Sequence, residues 1–409
     1  MAVGATIDAM IGNRRLRFRP VTADSSVTQL ELFFDLVIVF AFTMVTDLAA
    51  DETTAANMLR ATLVLALMWW LWIAYSWLGN VVRADEGIAR VGMFVAMGGA
   101  FIAALTIPEA FSDLPGGWFG PLVFAIAYLV VRLVHVGIFW AISAEDSQLR
   151  GQLLRWALGS ITIGTTLLVI AAMTTGLTQI LLWVAAIVGD MVWTFIAGTD
   201  WRINSAKHFA ERYGLIVIVA LGESIVSIGI GVAGLPISWP IALGSMLGLA
   251  VSGLLWWLYF DVAAISIEHS FAHARGAHQI KIAQNSYTYG HFPMIVGVIA
   301  LSLGLKKVLY YVGDSSHHTL TDALYGIPLG ALYAGPALFI LGVVAAKYFA
   351  TKSVSIARVI TAALLFALIP VAAHLPALAS LALLCALLAA LVIFETLRFA
   401  QPRDRIRHA

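Results

Sequence analysis

Charge is scarce in this sequence. Only 11% of its 409 residues are Asp, Glu, Lys or Arg, where soluble domains carry roughly a quarter. Hydrophobic residues make up 61%, more apolar surface than a water-soluble globule can hide. Lipid is the solvent such a composition fits. Cysteine is nearly absent: Cys385 stands alone in an apolar run, which excludes a disulfide framework and a cysteine-ligated metal. The net charge of +1, with no basic stripe carrying interleaved aromatics, speaks against nucleic acid as a partner. A cleavable signal peptide is not expected either, because Arg14, Arg15, Arg17 and Arg19 lead into polar Thr22 to Gln29 rather than a short apolar core.

What the chain has in quantity is long apolar runs. A helix needs roughly 20 apolar residues to cross about 30 Å of hydrocarbon. Such stretches lie near 28–48, 57–79, 88–108, 118–141, 151–173, 177–197, 209–232, 238–265, 280–307, 323–346, 354–373 and 376–398. The expected fold is therefore all-α and polytopic, with about twelve transmembrane helices. The last two stretches are separated by little more than His374 and Pro376. A cytoplasmic N-terminus would put 20 of the 24 Lys and Arg residues inside, leaving Arg60, Lys306 and Lys307 outside and Arg132 within a span. Positive charge of this asymmetry predicts both termini in the cytoplasm.

The chain also resembles itself. Glu31-Leu-Phe-Phe-Asp-Leu-Val-Ile-Val aligns with Glu211-Arg-Tyr-Gly-Leu-Ile-Val-Ile-Val, and Trp69-Trp70-Leu-Trp72 with Trp256-Trp257-Leu-Tyr259. Val91-Gly-Met93 meets Phe292-Pro-Met294, and Arg155 meets Arg358. Four matches in order predict two parallel six-helix repeats. The expected organisation is a basic segment (1–27), a first half (28–198), a linker (199–208), a second half (209–398) and a basic tail (399–409).

Val27-Thr-Gln-Leu-Glu-Leu-Phe-Phe-Asp-Leu-Val-Ile-Val-Phe-Ala-Phe-Thr43 resembles the opening signature of the bacterial low temperature requirement protein A family. Trp201-Arg-Ile-Asn204 followed by His208-Phe-Ala-Glu-Arg-Tyr-Gly-Leu-Ile-Val-Ile-Val-Ala-Leu-Gly-Glu-Ser224 resembles its second signature, and His291-Phe-Pro-Met294 with Gly297 its third. Ser205-Ala206-Lys207 stands where the family often has a Thr pair before the His. The resemblance implies a multi-pass protein of the bacterial cytoplasmic membrane and names a growth phenotype, not a substrate. It also implies that Glu31, Asp35, Arg202, Asn204, His208, Glu211, Arg212, Glu223 and His291 share one polar site.

Ionisable side chains inside the spans carry the chemistry. Each costs at least about 2.5–3.5 kcal/mol at the bilayer centre, so each faces the bundle interior and finds a partner. Glu31 and Asp35 lie four apart, on one face of the first span. Glu211 and Arg212 open the seventh, with Glu223 about 18 Å deeper. Asp190 and Asp261 lie on spans descending to the cytoplasm, Arg132 and His135 on another, and His291 in the ninth. A plainer reading exists for each. Glu31 and Glu211 suit helix-start carboxylates, and Asp35 and Glu223 suit salt bridges to Arg132 or Arg212. Asp190 and Asp261 suit contact with water at helix ends, the two histidines a satisfied core, and the Trp and Met residues packing and interfacial belts. Glu268, His269, His273 and His278 have ligand-like spacing but no fourth well-placed ligand; neither they nor His317 and His318 predict a metal site, and no cofactor is implied.

Six acids against two arginines imply that some carboxylates hold a proton or a bound cation. Gly222, Gly229, Gly231 and Gly234, with Ser224 and Ser227, would let the seventh helix bend, and Pro293 would interrupt the ninth. These features predict a proton- or cation-coupled secondary transporter of a small solute, held between the halves and coupled through Asp35 or Glu223. Two alternatives stay open: a membrane-embedded enzyme acting on lipid through Glu31, Asp35 or His291, and a non-catalytic membrane factor supporting growth in the cold. No recognisable nucleophile or phosphate-cradling loop favours the enzyme. Oligomeric state is left open.

Overall fold

A computed structural model describes residues 19–143, 147–196, 201 and 203–398. Each predicted apolar stretch is occupied by helix, and no strand longer than an isolated bridge occurs among the described residues. In chain order the helices are α1 (Gln29–Asp51), α2 (Ala55–Val81), α3 (Gly87–Leu105), α4 (Gly120–Ile142), α5 (Ser147–Ala172), α6 (Gly176–Ile196) and α7 (Ala206–Gly231). They continue with α8 (Trp239–Phe260), α9 (Ala263–His273), α10 (Gly276–Ile282), α11 (Phe292–Gly313), α12 (Gly326–Thr351), α13 (Ile356–Ala372) and α14 (Ala377–Arg398). Among the described residues ten helical segments are long and apolar enough to cross a membrane, and Ile161–Ala172 and Ile356–Ala372 are shorter apolar helices. The chain is thus a multi-pass, all-helical membrane protein.

The helices fall into two compact units. The first comprises Met1–Met44 and Leu63–Arg212, the second Val45–Thr62 and Tyr213–Ala409. Within the first, α3 packs on α4, α4 on α5, and α5 on α6. Its N-terminal strap is stitched to the end of α2 by Val21 N–H to Val81 O (3.2 Å) and Arg83 N–H to Arg19 O (2.9 Å).

In the second unit α11 lies against α12, which also packs on α9 and α13, while α14 packs on α8. Glycines set the α11–α12 spacing: a Cβ on Gly297 would sit 2.5 Å from Gly335 O, and one on Gly335 2.6 Å from Gly297 O. With no hydrophobic driving force between helices in lipid, such backbone approach supplies the attraction. The residues around Pro293 are interrupted as expected. Ala283–Tyr289 forms a π-helical segment, regular helix resumes at Phe292, and Pro293 occupies its first turn, where a missing N–H costs nothing. The seventh stretch behaves differently, since α7 runs unbroken through Gly222 and Gly229 and ends at Gly231. The short connection at His374–Pro376 separates two helices, pinned by Ala377 N–H to Asp322 O (2.9 Å).

Candidate functional site

The first unit gathers its polar side chains where α1, α2 and α7 begin or end. Glu31 stands in the first turn of α1. Its Oε2 accepts from Thr28 N–H (2.8 Å) and Thr28 Oγ1 (2.9 Å), and Glu31 N–H reaches back to Thr28 Oγ1 (3.3 Å). Thr28 and Glu31 therefore form a capping box, the helix-start role expected of this acid. The same carboxylate meets His208, in the first turn of α7, whose Nε2 lies 3.1 Å from both oxygens. Gly79 on α2 makes the room: a Cβ there would collide with Glu31 Oε1.

One turn along α1, Asp35 Oδ1 accepts from Trp72 Nε1 (2.8 Å) and lies 3.0 Å from Arg212 Nη2. The guanidinium carbon sits 5.5 Å over the Trp72 ring. Glu31, Asp35, His208 and Arg212 are each at most 1% exposed. Glu211, half-buried beside them, accepts from Val27 N–H (3.1 Å), holding the chain as it enters α1.

Asn80, near the end of α2, ties this cluster to the start of α7. Its Oδ1 accepts from Asn204 N–H (2.8 Å) and Ser205 N–H (3.4 Å), and its Nδ2 donates to Ser205 O (2.6 Å). Those backbone partners fix which end of the amide is which. The Asn80 NH₂ therefore faces His208 Nδ1, at 3.5 Å, an arrangement that suits a lone pair on Nδ1 and an Nε2–H directed at Glu31. Ser205 caps α7 by accepting from His208 N–H (3.1 Å), and its hydroxyl donates to Ala23 O (2.8 Å).

Arg132 on α4 and Asp190 on α6 form a second ion pair in this unit, Nη2 to Oδ2 at 3.0 Å, with both side chains buried. Asp190 is thus paired in the interior rather than in contact with water at a helix end. His135 Nε2 lies 3.0 Å from Ala74 O. Both arginines go to aspartates, Arg212 to Asp35 and Arg132 to Asp190.

The remaining sequence-predicted residues belong to the second unit. Glu223 is fully buried on α7 and accepts from Ser227 Oγ (2.9 Å), while Ser224 Oγ meets Ser252 Oγ (2.7 Å). Asp261 is buried where α8 gives way to α9. His291, at the end of the π-helical segment, donates from Nδ1 to Ser286 O (3.0 Å) and accepts at Nε2 from Tyr259 OH (2.7 Å). Tyr213, Tyr259 and Tyr287 enclose the ring, with Tyr287 stacked on it. This is the satisfied core histidine of the plainer reading.

Of the nine residues expected to share a site, the first unit brings together Glu31, Asp35, Asn204, His208, Glu211 and Arg212. Glu223 and His291 lie in the second unit, and Arg202 lies outside the described residues. Sequence reasoning missed Thr28, Trp72, Gly79, Asn80 and Ser205. Thr28 and Ser205 were signalled by their three-residue spacing to Glu31 and His208, and Asn80 by being an amide inside an apolar run. Among the described residues no three His, Cys, Asp or Glu side chains are placed to hold a metal ion.

The chain is 26% identical over 370 residues to the uncharacterized protein RA0937 of Rhizobium meliloti (strain 1021), covering 84% of this chain and 83% of that one. The profile of the bacterial low temperature requirement A proteins matches residues 26–393, nearly the whole sequence. The chain therefore belongs to the bacterial low temperature requirement A protein (LtrA) family.

Proposed function

We propose that this protein is a proton-coupled secondary transporter of a small solute in the cytoplasmic membrane. In this reading twelve spans are arranged as two parallel six-helix repeats with both termini inside. The loop charge and the ordered sequence matches support that topology. The observation that carries the function is the setting of His208. Its Nε2–H is committed to Glu31, so an added proton must go on Nδ1, which faces the Asn80 NH₂. Two donors would then oppose each other. Turning the Asn80 amide relieves that clash but presents NH₂ to Asn204 N–H and Ser205 N–H. Protonation is thereby transmitted to the segment that anchors α7.

Histidine suits this role because its charge changes between about pH 5 and 8, which no arginine partner can do. Glu223 is a second coupling candidate, buried in the same helix. A non-catalytic packing role is the competing reading. It is favoured by the complete capping of Glu31, which a helix start needs with or without transport. The two separate in cells that require this protein for growth in the cold. Transport predicts that His208→Gln and Glu31→Gln, at normal abundance, fail to restore growth. Full restoration by both would favour the packing role.

A further inference from the structure

The ion pair beside His208 is incompletely used. Asp35 spends Oδ1 on both Trp72 and Arg212, while its Oδ2 is buried with no hydrogen-bond partner among the described residues. Arg212 is fully buried, and none of Nε, Nη1 and Nη2 makes a hydrogen bond there; Nη2 only approaches Asp35 Oδ1 at ion-pair distance. Leaving such groups unsatisfied in the interior is costly, most of all for charged ones. The Arg358–Glu395 salt bridge is more economical: Arg358 engages Glu395 through Nε and Nη2, both at 2.8 Å. In Arg212 the contact to Asp35 is a single approach of Nη2 at 3.0 Å. The parallel Nε–H and Nη2–H edge that Arg358 uses is left without a hydrogen-bonded acceptor in Arg212, with Asp35 Oδ2 also unpaired among the described residues.

A guanidinium edge of two parallel N–H groups matches the two oxygens of a carboxylate or phosphate. We infer that Arg212 binds an oxyanion on the transported solute, and that the solute enters with one proton taken by His208. This rests on the proton-coupled reading and names its substrate class. The charge balance supports the linkage. Glu31 and Asp35 balance Arg212 and a protonated His208, but a neutral His208 leaves the four side chains at −1 before any anion arrives. Loading an anion onto that cluster in a low-dielectric interior is costly, and a proton on His208 one turn from Arg212 removes one of the two negative charges. The charged and titratable groups facing the site are Glu31 and Asp35 on α1, and His208, Glu211 and Arg212 on α7. Arg83, beyond the end of α2, also contributes to the field at Glu31.

The test is calorimetric titration of the full-length protein in nanodiscs with formate, nitrate and inorganic phosphate, from about pH 5 to about pH 9. Saturable binding should strengthen on acidification, by up to about tenfold per pH unit where one proton accompanies each anion. Arg212→Lys keeps the charge but lacks the fork and should weaken binding at least about tenfold. If that variant does not accumulate, proton uptake measured in weak buffer on adding anion to the wild type decides. One proton per anion supports the inference, and none overturns it. Lipid extraction before titration separates the two sources of oxyanion. A co-purified anionic lipid displaced by nitrate would make the solute a headgroup phosphate, and a lipid-free protein binding formate would make it a free anion. Absence of saturable binding, pH-independent binding, or full binding by Arg212→Lys each overturns the inference. Solute-driven proton movement without anion binding would sink the oxyanion alone and leave proton coupling standing.

Discussion

Replacing Asp35 by Asn removes the only carboxylate among the described residues within salt-bridge distance of Arg212 and leaves a fully buried guanidinium. Breaking a buried pair by deleting one partner costs about 3–5 kcal/mol, chiefly from the charge left behind. Total stabilities run to about 5–15 kcal/mol, so the single variant should lose roughly a fifth or more of its stability and fall visibly in abundance. Trp72→Phe takes away one hydrogen bond to the same carboxylate and should cost less, about 1.5–3 kcal/mol. Asp35→Leu combined with Arg212→Met removes both charges, and replacing a whole buried pair by apolar residues is often near neutral. The double variant should therefore be more stable than Asp35→Asn while losing any function of the pair. Abundance and apparent melting temperature in detergent, read across the cycle, give the coupling energy. A stable Asp35→Asn protein, or a double variant worse than either single change, would refute a tightly coupled buried pair.

Other variants probe separate parts of the structure. Gly79→Ala drives a Cβ into Glu31 Oε1; it should disturb the Glu31–His208 pair and abolish growth in the cold while the protein still accumulates, as size-exclusion profiles would show. Gly335→Leu places a branched side chain where only backbone fits against Gly297, and overpacking of this kind should cost about 1–3 kcal/mol in thermal stability. Asn80→Leu strands the N–H groups of Asn204 and Ser205, at about 1–3 kcal/mol each, and increased proteolysis near residue 204 would register the loosened start of α7. Glu223→Gln should preserve folding but abolish movement driven by a pH gradient; normal gradient-driven transport by a well-folded variant would remove Glu223 from the coupling path.

The helices were legible because lipid imposes a length and composition on each of them, and few other signals compete in a chain with so little charge. Their ends were legible where proline stands, as at Pro293, whereas the caps at Thr28 and Ser205 were missed. The π-helical segment at Ala283–Tyr289 was not, since one extra residue in a helical turn leaves no mark in hydropathy. The buried acids could be named, but not their partners. A spacing of four puts Glu31 and Asp35 on one face and says nothing about which neighbouring helix offers His208 and which Arg212. Trp72 was read as packing because its ring is apolar, while its N–H, decisive for Asp35, is a single donor on a large side chain. For Asp190 two readings stood open, water at a helix end or a partner in the interior, and hydropathy alone carries no sign of the buried arginine on α4 that pairs with it.

Proton coupling through His208 is tested most directly in everted membrane vesicles energised to an acid interior, with a dye reporting the pH gradient and small solutes added in turn. The proposed function predicts that some solute releases protons in vesicles carrying the wild type, and that His208→Gln and Glu31→Gln at equal abundance abolish that release. A solute that moves protons as well through His208→Gln as through the wild type would contradict it.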